Sequence, residues 1–308
     1  MKSQDLCGYL ERLRSSRNIS QEIFTNGIVS LRQYRRYLSG ESDIPFQVAD
    51  KLSERLGVQT INLLGEIEAT RFEEKRKVDK FYNSVVNNSK DDVLSMITYF
   101  ENLQFIDPEN KVLFLHGLSL YMLITDQDTR SVTVQKNKDL IAYPAILKRT
   151  IITLNEMVIL SSILDYSDDP NDTQEISEKL KQYLENRSFV IGTGHEPIFN
   201  LVLFRLARYS GKNSLFGDVI NYCTMGIERN HSHKFYYLLD YFYYYTALAY
   251  YRLGEMEKYQ VTLIKCFNVL QTEGNQKKID KFTLLINQDF NINFKEFVVS
   301  YYQNQTQE

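Results

Sequence analysis

The segment LRQYRRYL, residues 31–38, places three arginines and a glutamine within five positions. A guanidinium group can donate two hydrogen bonds to O6 and N7 of guanine, and a carboxamide can pair with N6 and N7 of adenine. In a helix, Tyr34 and Tyr37 would share one face, and Arg32 and Gln33 would project from the other. The spacing therefore predicts a helix that packs through its tyrosines and reads DNA bases through Arg32 and Gln33.

Polar side chains around these two residues could hold the phosphates of the same duplex. Phosphate contacts set the position of a protein on DNA without reading its sequence, and we assign this role to Gln21, Arg35 and Ser39. With two further residues that project outward, the predicted DNA-binding residues are Gln21, Ser30, Arg32, Gln33, Arg35, Arg36 and Ser39. The alternative, a helical bundle with a charged surface, gives less reason for three arginines on the outside of one short helix.

The charge distribution agrees with a local cationic face rather than a basic protein. The formal net charge of the chain is −3. Residues 1–66 hold nine Lys/Arg and eight Asp/Glu, and three of the arginines lie in segment 31–38. DNA binding needs a cationic patch on one surface, not a basic composition overall.

Five short helices are predicted to position these residues. Leu6, Leu10 and Leu13 recur at helical spacing. Ser20 and Ser30 can cap the helices that follow them, because a serine hydroxyl accepts a hydrogen bond from a free backbone N–H of the first turn. The predicted helices begin at about Ser3, Gln21, Leu31, Pro45 and Thr60.

Two short helices joined by a turn, the second of them polar, have the geometry that places side chains in the major groove. The segment from about residue 4 to residue 64 resembles the helix-turn-helix of phage-repressor-type (Xre/Cro-like) regulators. The shared marks are Ser20-Gln21-Glu22, Gly27, Gly40 and Leu56-Gly57-Val58. The chain departs from the commonest pattern in a turn that is about one residue shorter.

The rest of the chain shows an internal repeat. LARYSGKNSLFGDVINYC aligns with LAYYRLGEMEKYQVTLIKC, and steps of 43 residues back from Gly254 reach Gly211, Asp168 and Thr125. Each position follows an apolar segment, so we predict four helix-turn-helix units stacked as a solenoid. AYYRLGEMEKY resembles the tetratricopeptide repeat, although the period of 43 exceeds its usual length of about 34. An irregular helical bundle is the alternative.

A solenoid of this kind has a groove lined by the first helix of each pair, and we predict that this groove binds a peptide. Asparagine can pair with both an N–H and a C=O of an extended peptide, and arginine can hold a terminal carboxylate. The predicted peptide-binding residues are Asn155, Val158, Ser162, Arg205, Arg208, Tyr241, Tyr244, Leu248 and Tyr251. For each position the alternative is packing within the repeat.

We therefore predict an all-α protein: a helix-turn-helix domain (1–66), a charged helical linker (67–90), a repeat domain (91–275) and two C-terminal helices (276–308) that cap the solenoid or pair two subunits. This architecture resembles the peptide-pheromone-responsive regulators of Gram-positive bacteria, the RRNPP superfamily that includes Rgg, PlcR and PrgX proteins. The resemblance implies a homodimer that binds double-stranded DNA and is controlled by a short imported signalling peptide in quorum sensing. Two alternatives stay open: a repressor whose helical domain only dimerises or binds a protein partner, and an adaptor that acts through protein contacts.

Other motifs do not support catalysis or a cofactor. Three separated cysteines form no zinc-binding pair. His231 and His233 lack acidic partners nearby in the sequence, Gly192-Thr193-Gly194 follows no strand, and segment 168–172 lacks calcium-loop spacing. We expect no metal, cofactor or enzymatic activity. No apolar run of about 18 residues occurs, so we expect a cytoplasmic protein without a membrane segment.

Overall fold

The computed structural model describes residues 3–86, 90–103, 105–190 and 196–305. The chain divides into two compact units, Met1–Gly117 and Leu118–Glu308. Within the described ranges the only strand pairing is a two-residue parallel contact between β1 (Ile152–Thr153) and β2 (Phe189–Val190). The prediction of an all-α fold is confirmed.

The first unit begins with the five predicted helices. They are α1 (Ser3–Ser16), α2 (Gln21–Thr25), α3 (Leu31–Ser39), α4 (Phe46–Arg55) and α5 (Thr60–Ile67). Ser20 and Ser30 cap α2 and α3 as expected, each accepting a hydrogen bond at 3.2 Å, from the N–H of Ile23 and of Gln33. The helices enclose a small core, which includes Leu6, Leu10, Phe24, Tyr34, Leu52, Leu56 and Leu63. This is the helix-turn-helix domain that the sequence predicts.

Three further helices follow: α6 (Ala69–Val86), α7 (Lys90–Glu101) and α8 (Pro108–Ile124). The division between the two units lies within α8. The charged helix α6 has one apolar face, on which Phe81 contacts Phe100 and Phe114 at ring-centroid distances of 6.1 and 5.0 Å. The buried carboxylate of Glu74 accepts hydrogen bonds from the backbone N–H groups of residues 106 and 107. These contacts tie α6 to the chain that precedes α8.

The second unit is built from helix pairs. After α9 (Arg130–Leu140) the pairs are α10 (Leu154–Tyr166) with α11 (Pro170–Glu185), α12 (Glu196–Lys212) with α13 (Phe216–His233), α14 (Leu239–Arg252) with α15 (Met256–Glu273), and α16 (Gln276–Phe290) with α17 (Phe294–Gln305). The first helix of each pair contacts the first helix of the next pair, from α10 through α12 and α14 to α16. This continuous layer is that of a TPR-like solenoid, as predicted.

The predicted repeat register is right at three of its four turns. Gly254 lies between α14 and α15 with φ +76°, a conformation that glycine adopts without strain. Asp168 and Thr125 also lie between helices. Gly211, in contrast, lies inside the last turn of α12, and Ser214 takes the left-handed conformation there with φ +58°. The helix continues past Gly211 because nothing in its backbone requires a turn at that residue.

The C-terminal helices complete the apolar core of the last repeat. Phe282, Ile286 and Phe290 of α16 are buried in the cluster that α14 and α15 form, and Phe294 and Val298 of α17 join it. The described parts of the chain contain no helix with the length and apolarity that a membrane crossing requires.

Candidate DNA-binding face and ligand cleft

Helix α3 presents two different faces. Tyr34 and Tyr37 are buried, and the ring of Tyr34 meets that of Phe24 edge-on at 5.6 Å. Arg32, with Arg35 and Arg36, is exposed on the other side of the helix. The expected inward orientation of the two tyrosines is therefore confirmed, and the guanidinium groups of α3 are accessible to a ligand outside the protein.

The cations on this face differ in their partners. Arg32 makes no hydrogen bond or ion pair with any residue in the part of the chain that the structure describes. Arg36 lies 3.5 Å from a carboxylate oxygen of Glu41, and both side chains are about half exposed. Exposed pairs of this kind contribute about 1 kcal/mol or less, so a phosphate could replace the carboxylate at low cost.

Gln33 is half-buried, and one hydrogen bond fixes its side-chain amide. Its Nε2 donates a hydrogen bond to Oγ of Ser42 at 2.9 Å. A carboxamide has two N–H bonds and an acceptor oxygen, so this contact leaves one N–H and the oxygen for another partner. Those two groups are the ones that a bidentate pair with adenine uses. Ser42 was not singled out in the sequence, because only the fold brings it beside Gln33.

One carboxylate joins the first three helices of the domain. Glu11 of α1 accepts hydrogen bonds from Arg14 at 2.7 and 2.9 Å, from Gln21 of α2 at 2.8 Å and from the hydroxyl of Tyr34 of α3 at 2.9 Å. The hydrogen bond from Arg14, with those from Gln21 and Tyr34, lowers the pKa of Glu11 to about 2, although burial opposes it. Glu11 therefore holds the helix-turn-helix together as a fixed negative charge.

The remaining predicted DNA-binding residues lie around α3. Gln21 uses its Nε2 on Glu11, and its Oε1 accepts a hydrogen bond from Nε of Arg35 at 3.4 Å. The hydroxyl of Ser30 is engaged as the cap of α3, and the hydroxyl of Ser39 donates to the carbonyl oxygen of Arg36 at 3.1 Å. The structure brings the predicted residues to one region, and their contacts with DNA stay a prediction.

Arg55 is a structural residue of this domain that sequence reasoning missed. Its Nη1 lies 3.1, 2.9 and 2.6 Å from the carbonyl oxygens of Ile23, Phe24 and Asn26. These carbonyls close the end of α2, where a helix leaves acceptors without partners. Arg55 of α4 therefore fixes the end of α2. Because the two segments are far apart in the sequence, no local pattern indicates this contact.

In the second unit, a cleft of about 540 Å³ opens where α12, α13, α14 and α16 meet. Three predicted peptide-binding residues line it: Arg208, Tyr244 and Leu248. Phe216 and Val219 contribute an apolar wall, and Tyr245 lies beside them. Burial raises the pKa of Tyr245 to about 12 and also raises that of Tyr244. Both phenols are therefore neutral hydrogen-bonding groups at physiological pH.

Four other predicted peptide-binding residues are buried between helices. Asn155, Val158, Ser162 and Arg205 are at most 7% exposed. Nη1 of Arg205 donates to the carbonyl oxygen of Val158 at 2.9 Å and to Oγ of Ser161 at 3.1 Å, so this guanidinium joins α12 to α10. A ligand could reach these side chains only if the helices separated, and their assignment to the site stays a prediction.

The last two predicted residues are half-buried against α16. Tyr241 meets the ring of Phe282 at 4.7 Å, and Tyr251 meets that of Phe290 at 5.2 Å. Tyr244 also contacts Phe282, and its hydroxyl donates a hydrogen bond to the carboxylate of Asp289. Most of the aromatic surface of α14 therefore packs against α16, which lies where the first helix of a further repeat would lie.

The charges of the cleft are mainly positive. Arg208 pairs with Asp165 at 2.9 Å, and the carboxylate of Asp165 is almost fully buried. Lys212 and Arg252 also line the cleft, and both side chains are exposed. Sequence reasoning did not select either of them. Each is the last basic residue of its helix, and only the packing of α12 beside α14 brings the two ends together.

A second cleft, of about 570 Å³, lies between the end of α11, β2, α12 and α13. Phe189 stacks on Phe199 with a centroid distance of 5.4 Å, and the guanidinium of Arg229 lies 4.2 Å from the Phe199 ring centroid. No residue of this cleft was predicted from the sequence.

The minor motifs of the sequence show no assembled site. His231 lies 3.4 Å from the hydroxyl of Tyr243, and the described residues contain no cluster of metal-binding side chains. Segment 168–172 forms the turn before α11 and its first residues. Segment 192–195 lies outside the described residues.

No protein-family model matches the chain, and no curated protein sequence matches it. Solved structures do share its fold. PlcR of Bacillus thuringiensis, in complex with the peptide PapR7 and DNA, is 13% identical, with a TM-score of 0.56 over 89% of this chain and 98% of that chain. ComR of S. thermophilus, in complex with DNA and its signalling peptide ComS, is 14% identical, with a TM-score of 0.58 over 92% and 99%. The SHP pheromone receptor Rgg2 of Streptococcus dysgalactiae is 13% identical, with a TM-score of 0.55 over 92% and 99%. At such identities the likeness is one of fold.

Proposed function

We propose that this chain is a cytoplasmic, homodimeric transcription regulator that binds DNA through α3 and is controlled by a short signalling peptide in its repeat domain. Two of the proteins that share its fold along about nine tenths of the chain were crystallised with DNA and a peptide. The proposal assigns DNA recognition to residues 1–66 and a connecting role to 67–90. It assigns peptide binding to 91–275, and capping or subunit pairing to 276–308.

The observation that carries the DNA-binding part is the arrangement of α3. Its tyrosines are buried and its guanidinium groups are exposed, and Arg32 has no partner among the described residues. An exposed helix that follows a capped turn can enter the major groove with its side chains directed at base edges. In our proposal Arg32 and Gln33 read bases, and Gln21, Ser30, Arg35, Arg36 and Ser39 hold the position of the helix on the DNA.

The peptide-binding part is supported by the cleft at Arg208, Tyr244 and Leu248. Its volume of about 540 Å³ lies within the range of about 300–1,000 Å³ that is typical of ligand sites. The cleft has walls from three repeats, so a ligand that contacts all of them would favour one spacing of the repeats over others. A ligand changes an equilibrium of this kind only through its different affinity for the two arrangements.

The test of DNA binding is the double variant Arg32→Ala/Gln33→Ala. We expect it to lose about 2–6 kcal/mol of binding free energy for the operator, because each bidentate base contact contributes about 1–3 kcal/mol. The operator would first be selected from fragments of the genomic region around the gene, and affinities would be measured by fluorescence anisotropy at fixed salt. Arg130→Ala is the matched control, because it removes an exposed arginine from the other unit. Full affinity in the double variant would contradict the proposal.

A specific observation favours a second candidate, a repressor whose helical domain only dimerises or binds a protein partner. Asn155, Val158, Ser162 and Arg205 are buried, so the protein's own side chains fill much of the predicted groove. Calorimetric titration with short peptides encoded beside the gene separates the two candidates. Binding by one of these peptides supports the peptide-controlled regulator, and no binding by any of them, with DNA binding intact, favours the second candidate.

A further inference from the structure

The cleft of the second unit combines an apolar wall with two cations that have no partner among the described residues. We propose that it binds its ligand through a carboxylate, with Lys212 and Arg252 as the groups that hold the charge, and that an apolar side chain next to this carboxylate packs on Phe216, Val219 and Leu248. This inference rests on the proposed function and specifies the chemistry of the peptide.

Four charged residues line the cleft: Arg208, Lys212, Arg252 and Asp289. Arg208 already pairs with Asp165, and Asp289 already accepts a hydrogen bond from Tyr244. Lys212 and Arg252 have no ion pair with any residue that the structure describes. Three cations, Arg208, Lys212 and Arg252, therefore stand against two carboxylates, Asp165 and Asp289, so these described residues leave the cleft with a net positive charge.

Apolar side chains line the same cleft as these charges. Val219 is buried, and Phe216 and Leu248 are half-buried at the cleft surface. A ligand that covers this wall would exclude water from the neighbourhood of the two cations. A carboxylate beside them would then interact more strongly than it would at an open surface, because the effective dielectric constant is lower. A ligand with an anionic group next to an apolar side chain would therefore contact both the two cations and the apolar wall of the cleft.

A purely structural role for the two cations is the alternative. Each of them lies in the last turn of its helix, where a positive charge interacts favourably with the helix dipole. That role accounts for one cation at the end of one helix. It does not account for the convergence of both ends on a single cleft that has room for a ligand. The two interpretations predict different results, since only the proposed one makes affinity depend on the charge of the ligand.

The experiment uses the full-length protein and a set of N-acetylated apolar heptapeptides that differ in one charged group. One peptide has a free C-terminal carboxylate, one a C-terminal amide, one an amide with an internal glutamate, and one an amide with an internal lysine. We expect the carboxylate or glutamate peptide to bind about tenfold or more tightly than the neutral amide in calorimetric titration. The peptide of these two that binds more tightly shows whether the carboxylate is the C-terminus or an acidic side chain. The preference should weaken as the salt concentration rises.

Variants of the two cations test their assignment. In Lys212→Gln/Arg252→Gln we expect the preference for the anionic peptide to disappear, and in Lys212→Glu/Arg252→Glu we expect the lysine peptide to bind best. A reversed preference cannot result from a folding defect. Arg130→Gln/Lys265→Gln, which removes two exposed cations of the same unit that lie outside the cleft, should leave the preference unchanged.

The remaining outcomes separate this inference from the proposed function. If all the peptides bind equally well and the variants have no effect, the inference is wrong, whereas peptide control stands. If neither these peptides nor the peptides encoded beside the gene bind while the operator still does, both the inference and the peptide part of the proposed function are wrong. Binding of DNA is measured in the same preparations, so a loss of the whole fold would be recognised.

Discussion

At the scale of single residues, Glu11 has a structural role that the sequence does not indicate. Its carboxylate receives hydrogen bonds from Arg14, from Gln21 and from Tyr34, which belong to three different helices. Each of these bonds involves a charged acceptor, and bonds of this type are about twice as strong as those between neutral groups. Gln21 in turn accepts from Arg35, so the carboxylate also helps to place a predicted phosphate contact.

We predict that Glu11→Gln destabilises the protein by about 2 kcal/mol at pH 7, since the folded state holds the ionised carboxylate. The pKa of Glu11 is lowered from 4.5 to about 2, so its contribution is complete above pH 4.5 and is lost as the pH falls through about 2. Urea unfolding at pH 7 and at pH 3 measures the free energy of unfolding. The difference in this free energy between wild type and variant should be smaller at pH 3. Glu22→Gln, an exposed change on α2, is the control. An equal difference at both pH values would contradict the assignment.

At the scale of helices, α13 and α14 approach each other closely at Gly226. Gly226 lies against the fully buried ring of Phe242, and a Cβ at this position would stand 2.4 Å from two ring atoms. The close contact brings the second helix of one repeat against the first helix of the next. Tyr222 and Cys223 are buried on the same helix, so the interface has little room to adjust.

We predict that Gly226→Ala lowers the free energy of unfolding by about 1–3 kcal/mol, the usual cost of adding atoms to a packed core. Adding Phe242→Leu to this variant should recover part of the loss, because the smaller side chain leaves space for the methyl group. Gly217→Ala, at a position with no neighbouring atom within 4 Å of the added Cβ, is the matched control. Thermal unfolding of the full chain compares each of these three variants with the wild type. A Gly226→Ala protein as stable as the Gly217→Ala control would contradict this prediction.

At the scale of the whole molecule, the proposed function requires two DNA-binding domains. A dimer with two-fold symmetry binds two half-sites on one face of the duplex, and the separation of these half-sites is a geometric property of the dimer. Leu284 of α16 and Val299 and Tyr302 of α17 are large apolar side chains that remain exposed in the single chain. They are the residues of the proposed capping or pairing helices that a second subunit could cover.

We predict that the protein is a dimer at micromolar concentration and that operator affinity depends on the phase of the two half-sites. Insertion of about 5 base pairs between them should weaken binding more than insertion of about 10, because the longer insertion restores the same face of the helix. Light scattering measures the mass, and anisotropy measures the affinities. A monomer that binds a single half-site as tightly as the full operator would contradict the prediction.

The sequence by itself determined where the helices of the first domain lie and which side chains of α3 face inward. Helical spacing, serine caps and turn residues located all five helices of the first domain and the inward face of Tyr34 and Tyr37, because these signals act between residues a few positions apart. The repeat of 43 residues similarly indicated the solenoid before any contact was known. At Gly211 the same reasoning failed, since a glycine permits a turn without requiring one.

Only the tertiary structure decided which side chains come together at the candidate sites. The burial of Arg205, the pair of Arg208 with Asp165 and the convergence of Lys212 with Arg252 depend on how neighbouring repeats stack. The hydrogen bonds that Glu11, Ser42 and Arg55 make or receive also join helices that are distant in the chain. Burial and partners are properties of contacts between segments, and a linear pattern does not contain them until the segments have packed.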